Sequence, residues 1–366
     1  MNILEKSSIE RLPKRLLINL EESNFLKFAN LNADFVNETK KASAFLMKAK
    51  EECEAFDSND RAHEDQISFI ESTKDKLFPK LDQHFGVVWG MVEMFSEQEY
   101  RAHQLFYQKE LLPFFYTPPL NTRIYDKPLG YDGDFQMMKY YYEDDYCGRS
   151  TYEKLMHRYT LSIPVSLATM ERIEYISRWI KKCVSSDNRI ARIMSLGSGP
   201  ALEVIKFIEE NPGVKAHFTL LDTEKLAIEH VERQIEMLGE KSRNCDVKCL
   251  NFDVLKFIKL INRDRTLRGQ DLIYATGLFD YLNDKLAAKL LEASFSLLAG
   301  NGMLGITNLT HAITHRAYIE FLGEWKLIYR TKEDILRLCA SLPQASKREL
   351  VVDKETQTKF YLEVYK

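Results

Sequence analysis

The sequence predicts an α/β protein: a seven-stranded, mostly parallel sheet closed by a C-terminal antiparallel hairpin and preceded by an all-helical region. Three observations predict it. After Asn188, short apolar segments alternate with helical ones, as in a parallel sheet covered on both faces. The first apolar segment runs into Gly197-Ser198-Gly199 and then directly into a helical pattern. The last, 348–365, is two strands around a polar turn.

From residue 9 to 112 the pattern is helical. Leu77, Leu81, Phe85, Val88, Val92 and Phe95 recur at three- and four-residue steps and stripe one helix face. Leu31, Phe35 and Leu46 continue the theme, so two or more amphipathic helices form a bundle or hairpin, with 58–61 as a connection. Such a region reads as a scaffold or as a surface for a homodimer. Pro113, Pro118 and Pro119 then exclude helix and predict an extended connector. Residues 127–142 start as a Pro/Gly/Asp loop and turn into an aromatic-rich helix. A further helix carries His157-Arg158-Tyr159 and runs past Pro164 to Trp179. The expected division is 1–112 helical, 113–187 connector and helical cover, and 188–366 the sheet domain.

Within that domain, strands are expected at 193–196, 216–222, 247–252, 271–275 and 303–307, with helices at 201–210, 226–238 and 285–298. Ala299-Gly-Asn-Gly302 reads as a helix stop.

The 366 residues, net charge −3 and 29% charged content describe an ordinary globular chain with no general attraction to nucleic acid. No apolar run approaches the ~18 residues of a membrane span. The first residues lack the basic-then-apolar layout of a secretion signal. Six scattered cysteines without Cys-x-x-Cys predict reduced thiols in a cytoplasmic protein. His311 and His315 lie four apart with no third ligand visible, so no metal is expected.

Ligands of such sheets bind beyond the carboxyl ends of the strands. Gly197, Ser198, Gly199 and Pro200 follow strand one, where a glycine turn and a helix N-terminus suit an anionic, nucleotide-like ligand. Asp222, closing strand two, is placed to accept ribose hydroxyls, with Thr223 beside it. Asn251, Phe252 and Asp253 follow strand three, where Asp253 reaches an adenine amino group. Thr276, Gly277, Phe279, Asp280 and Tyr281 follow strand four, over the reactive end.

In this order, and with the terminal hairpin, these residues resemble the class I S-adenosylmethionine-dependent methyltransferases, whose sheet is Rossmann-like. The resemblance covers 188–366. It implies S-adenosyl-L-methionine as cofactor, with the glycine loop under its methionine part, Asp222 on ribose and Asp253 on adenine. Two positions depart from the family. Ser195 stands where an acid is frequent, and Ala201 replaces a third glycine. The block 128–138, His157-Arg158-Tyr159, Arg172 and the segment 308–330 are similar to a narrower bacterial group that makes 3-hydroxy fatty acid methyl esters as quorum signals. That likeness spans 112–366. Tyr131, on a Gly/Asp loop of the kind where functional residues concentrate, and Arg158 are further candidate cofactor contacts.

Methyl transfer is an in-line displacement that needs alignment and exclusion of water. A carboxylate acceptor is already ionised near neutrality and needs no general base. Asp280, Tyr281 and His311 are the candidates should a base be required, and Arg158, Arg172 and Arg316 the candidates for holding an acid group. Phe279 joins Tyr131 and Tyr281 as expected lining of an apolar acceptor pocket. No Asn/Asp-Pro-Pro-Tyr/Phe follows strand four, which disfavours base or glutamine targets. A dinucleotide site would need a third glycine at position 202, which is leucine. Two other readings stay open: a non-catalytic cofactor-binding regulator, and a protein-modifying enzyme that docks through its helices.

Overall fold

The computed structural model describes residues 30–58, 62–143, 145–184, 189–261 and 265–366. The expected helical start at residue 9 and the connection at 59–61 lie outside the described residues. Two compact units are present, Met1–Ser166 with Thr314–Lys326, and Leu167–Ile313 with Leu327–Lys366.

The first unit is helical. α1 (Ala33–Asp57) starts where the Asn32 side chain accepts the Phe35 amide at 3.0 Å, satisfying one of the free N–H groups of the first turn. α2 (His63–Val92) buries Leu77, Leu81, Phe85, Val88 and Val92 of the stripe that the spacing predicts, whereas Phe95 lies beyond the helix end and is half-buried. α3 (Glu97–Phe115) opens with a reciprocal Ser96–Glu99 capping box. α4 (Pro119–Asp126), α5 (Phe135–Glu143) and α6 (Thr151–Ser162) follow. Gln104 donates to the Phe321 carbonyl and Gln108 to that of Leu322, tying the π-helical turn Ala317–Leu322 into this unit.

The proline-rich stretch is not the extended connector that its composition predicts. α3 continues through Pro113 to Phe115. A helical proline costs about 3 kcal/mol. Leu111, Leu112, Phe114 and Phe115 are all buried around it, and roughly 1.5–3 kcal/mol per large apolar side chain outweighs that cost. Pro119 then occupies the first position of α4, where the missing amide has no helical partner to lose.

The second unit holds a seven-stranded sheet of order β3-β2-β1-β4-β5-β7-β6. β1 (Ala191–Leu196), β2 (Ala216–Asp222), β3 (Cys245–Asn251), β4 (Gln270–Ala275) and β5 (Leu298–Leu309) pair in parallel. β7 (Lys359–Tyr365) runs antiparallel between β5 and β6 (Arg348–Val352). The helices are α7 (Pro164–Cys183, in this unit from Leu167), α8 (Leu202–Glu210), α9 (Lys225–Leu238), α10 (Val254–Leu260), α11 (Asp284–Leu297) and α12 (Lys332–Leu338). The expected mostly parallel sheet with its C-terminal hairpin is therefore present.

Two apolar clusters fill the two faces. One packs Ile176, Trp179 and Ile180 of α7 with Val204, Phe207 and Ile208 of α8 against Phe218, Leu272 and Tyr274. The other packs α11 against Ile273, Leu304, Ile306 and Leu362. α11 ends at Leu297, as the expected helix stop at 299–302 requires, and that stretch also opens β5, a twelve-residue strand that begins five residues earlier than expected. Its glycines serve close packing: a Cβ on Gly302 would lie 2.6 Å from the Gln270 carbonyl oxygen. A Cβ on Gly305 would lie 2.6 Å from the Trp179 ring.

Strand order reverses between β1 and β4, which leaves a crevice at their carboxyl ends. Because β7 is reversed, its first residue, Lys359, also lies at that edge, opposite Leu309 at the end of β5.

Candidate cofactor and acceptor site

The loop after β1 is shaped by left-handed backbone. Gly197 has φ of +68° and Gly199 of +52°, a region glycine adopts without steric cost. The Gly197 and Ser198 amides both donate to the Leu221 carbonyl at 2.9 Å, and the Gly199 amide donates to Asp222 Oδ2 at 2.7 Å. All three expected donors are thus spent within the protein. The loop offers room instead: a Cβ on Gly199 would meet nothing within 4 Å. It also offers the Ser198 hydroxyl, which is buried and has no hydrogen-bond partner among the described residues. Ala201, in place of a third glycine, caps α8 at φ +47°, a conformation that costs an L-residue roughly 1–2 kcal/mol.

Asp222 is fixed from two sides. Oδ1 accepts the Glu224 amide at 2.9 Å, and Oδ2 accepts Gly199. Burial pushes its carboxyl above the usual range, opposed by the amides of Glu224, Gly199 and Thr223. Asn251 donates to the carbonyls of Asp222 and Thr223, and the Phe252 amide to that of Asp222 at 2.7 Å. Asp253 accepts the Lys256 amide at 3.3 Å, as an N-cap of α10. The structure thus brings Gly197, Ser198, Gly199, Pro200, Asp222, Thr223, Asn251, Phe252 and Asp253 together at the ends of β1, β2 and β3.

At the end of β4, the Gly277 amide donates to Thr307 Oγ1 at 3.1 Å, and Arg172 of α7 reaches the Thr276 carbonyl at 3.4 Å. Phe279 is buried in the apolar cluster, whereas Tyr281 is exposed. Asp280 is buried, and its Oδ1 accepts the Leu309 amide at 2.7 Å. Burial pushes its carboxyl up to about 6, against Lys359, the Leu309 amide, Arg172 and Arg330. His311 is exposed, its ring 6.1 Å from that of Tyr329. Tyr131, Arg158 and Arg316 belong to the helical unit, where Arg158 lies 3.9 Å from Asp145 and Arg316 pairs with Glu320 at 2.6 Å.

Three residues of this region escape sequence reasoning. Arg330 is 1% exposed and donates to the Phe279 and Leu282 carbonyls, Asn308 and Asp284, clamping the loop that carries Asp280. Lys359 is 2% exposed, and among the described residues its ammonium donates to the Ala168 carbonyl at 3.4 Å and to Thr169 Oγ1 at 3.3 Å. Burial lowers its ammonium to about 7. Glu203, on α8, accepts the Tyr274 hydroxyl at 2.8 Å. A polar residue on an otherwise apolar strand or helix face is the one signal that could have found Lys359 and Glu203.

Among the described residues no three His, Cys, Asp or Glu side chains could hold a metal ion, and no helix is long and apolar enough to cross a membrane. No protein-family model matches the chain, and no curated protein matches it. Solved structures do. A possible exported protein from Bordetella parapertussis is 14% identical, with TM-score 0.49, over 84% of this chain and 98% of its own. Magnesium protoporphyrin IX methyltransferase from Synechocystis, with S-adenosylhomocysteine bound, is 11% identical, with TM-score 0.45, over 68% and 99%. The N-methyltransferase NodS from Bradyrhizobium japonicum is 13% identical, with TM-score 0.39, over 63% and 97%.

Proposed function

We propose that this chain is an S-adenosylmethionine-dependent methyltransferase acting on a small, partly apolar acceptor, with a 3-hydroxy fatty acid carboxylate as the specific acceptor. The observation that carries the reading is the Asp222 carboxylate, locked by the Gly199 and Glu224 amides at the switch point of this strand order. The residues fit the cofactor: the loop has open space over Gly199, and the buried Ser198 hydroxyl lacks a partner among the described residues.

Asp222 would hold the ribose hydroxyls, since each carboxylate oxygen keeps a lone pair beyond its amide bond. Phe252 and Asp253 would flank adenine, and Gly197 to Pro200 the methionine part. When bound, the cofactor supplies an electrophilic methyl on a sulfonium. Thr276 and Gly277 would border that end, and Arg172 beside them would orient an acceptor carboxylate. Such an acceptor needs no proton removed, which agrees with an Asp280 already committed to the Leu309 amide. Tyr131, Arg158, Phe279, Tyr281, His311 and Arg316 stay candidates for the roles their positions suggest. The helical unit is proposed as scaffold or homodimer surface, and the cytoplasm as the site of action.

The test is product analysis by mass spectrometry with isotope-labelled cofactor and a panel of hydroxy fatty acids. The reading expects one acid to gain a labelled methyl as an ester. Absence of any methylated product across acids, alcohols and amines would end it.

A further inference from the structure

We infer, on the proposed reading, that Glu203 holds the ammonium group of the cofactor's amino-acid end and supplies the negative charge that Ser195, at the end of β1, does not carry. The placement comes from the sheet. Ser195 and Tyr274 are paired across β1 and β4, next to the glycine loop. The Tyr274 hydroxyl bridges the two sites: it interacts with the Ser195 side chain and donates to Glu203 Oε1 at 2.8 Å. Glu203 lies in the first turn of α8, four residues beyond Gly199.

Its surroundings call for a cation. Glu203 is 8% exposed. Besides Tyr274 and its own amide, no donor reaches its carboxylate among the described residues. A buried carboxylate is costly unless charge and hydrogen bonds compensate it. Two donors leave about half of its roughly four lone-pair positions empty. Burial pushes its carboxyl up, while Tyr274, its own amide and the nearby charge of Arg172 oppose that shift. Arg172 lends positive charge near Glu203 and donates to the Thr276 carbonyl at 3.4 Å, so a ligand's ammonium would be the cation that bonds the Glu203 carboxylate directly. A leucine or glutamine at 203 with phenylalanine at 274 would fill the same space without a buried charge, so packing alone does not require the acid.

The experiment compares two ligands of the wild type and Glu203→Gln by titration calorimetry: S-adenosylhomocysteine, which carries the amino-acid end, and methylthioadenosine, which lacks it. Glu203→Gln is expected to weaken S-adenosylhomocysteine about ten-fold or more and to leave methylthioadenosine within about two-fold. Tyr274→Phe, which keeps the carboxylate, should hold the wild-type preference between the two ligands. Should Glu203→Gln prove unfolded by circular dichroism, Glu203→Asp replaces it, with the same preference expected to fall. Equal weakening of both ligands, or none of either, overturns the inference and leaves the cofactor reading intact. Wild-type protein that binds neither ligand overturns the reading itself, and the inference with it.

Discussion

The Gly199 amide donates a 2.7 Å hydrogen bond to Asp222 Oδ2, so the glycine turn and the acid that closes β2 form one rigid unit. Replacing Asp222 by alanine removes both the ligand's acceptor and the loop's anchor. The expected outcome is a cofactor affinity weakened about ten-fold or more, as for loss of a charge-assisted hydrogen bond. Titration calorimetry with S-adenosylhomocysteine checks it, and an unchanged affinity contradicts the ribose assignment.

Arg330 clamps the Asp280 loop through the Phe279 and Leu282 carbonyls and Asn308. Arg330→Met removes the guanidinium donors of the Leu282 carbonyl and Asn308 Oδ1, and leaves the Phe279 carbonyl with the Leu282 amide. A loss of roughly 3 kcal/mol or more is expected, read from urea denaturation. Arg330→Lys should recover only a minor part, because an ammonium cannot reproduce the planar fork.

Gly305 faces the Trp179 ring so closely that an added methyl would overlap it. Both sit in the packed face between α7 and the sheet, where backbone and indole have little freedom. Gly305→Ala should cost about 1–3 kcal/mol by overpacking. A melting temperature equal to that of the wild type would show that the indole shifts freely.

Asp280 and Lys359 give a pH signature. The Asp280 carboxyl rises from 3.8 to about 6, so the native state binds the extra proton between those values. Stability is then present below pH 4 and lost as pH climbs through 6. The Lys359 ammonium falls from 10.5 to about 7, so the unfolded state binds the extra proton there. Stability from that group is present above pH 10 and lost as pH falls through 7. The two together place a minimum near pH 6–7. Asp280→Asn should flatten the acid side of the profile and Lys359→Met the alkaline side, in denaturant titrations from pH 4 to 10. Profiles with unchanged slopes would contradict both assignments.

Most of the sheet was legible because its signals are local. Apolar runs bounded by glycine or acid residues set β1, β2 and β4 to within two residues, and the polar turn set the hairpin. The misses share a cause, tertiary burial overriding local preference. Pro113 stays helical because buried neighbours hold α3 together. The helix stop at 299–302 holds, but β5 already starts there, because Gly302 lets it approach Gln270. At the site, Asp222 was legible as a polar residue ending an apolar strand. Lys359 was not, because only the antiparallel sense of β7 brings its first residue to the ligand edge. Glu203 was not, because its meaning depends on Tyr274, 71 positions away.

Equilibrium binding of S-adenosylhomocysteine to the full chain tests the central claim most directly. The account predicts saturable one-to-one binding that Asp222→Ala weakens about ten-fold or more while the fold persists. Folded protein that ignores this ligand, or that binds a nicotinamide dinucleotide in its place, would contradict it.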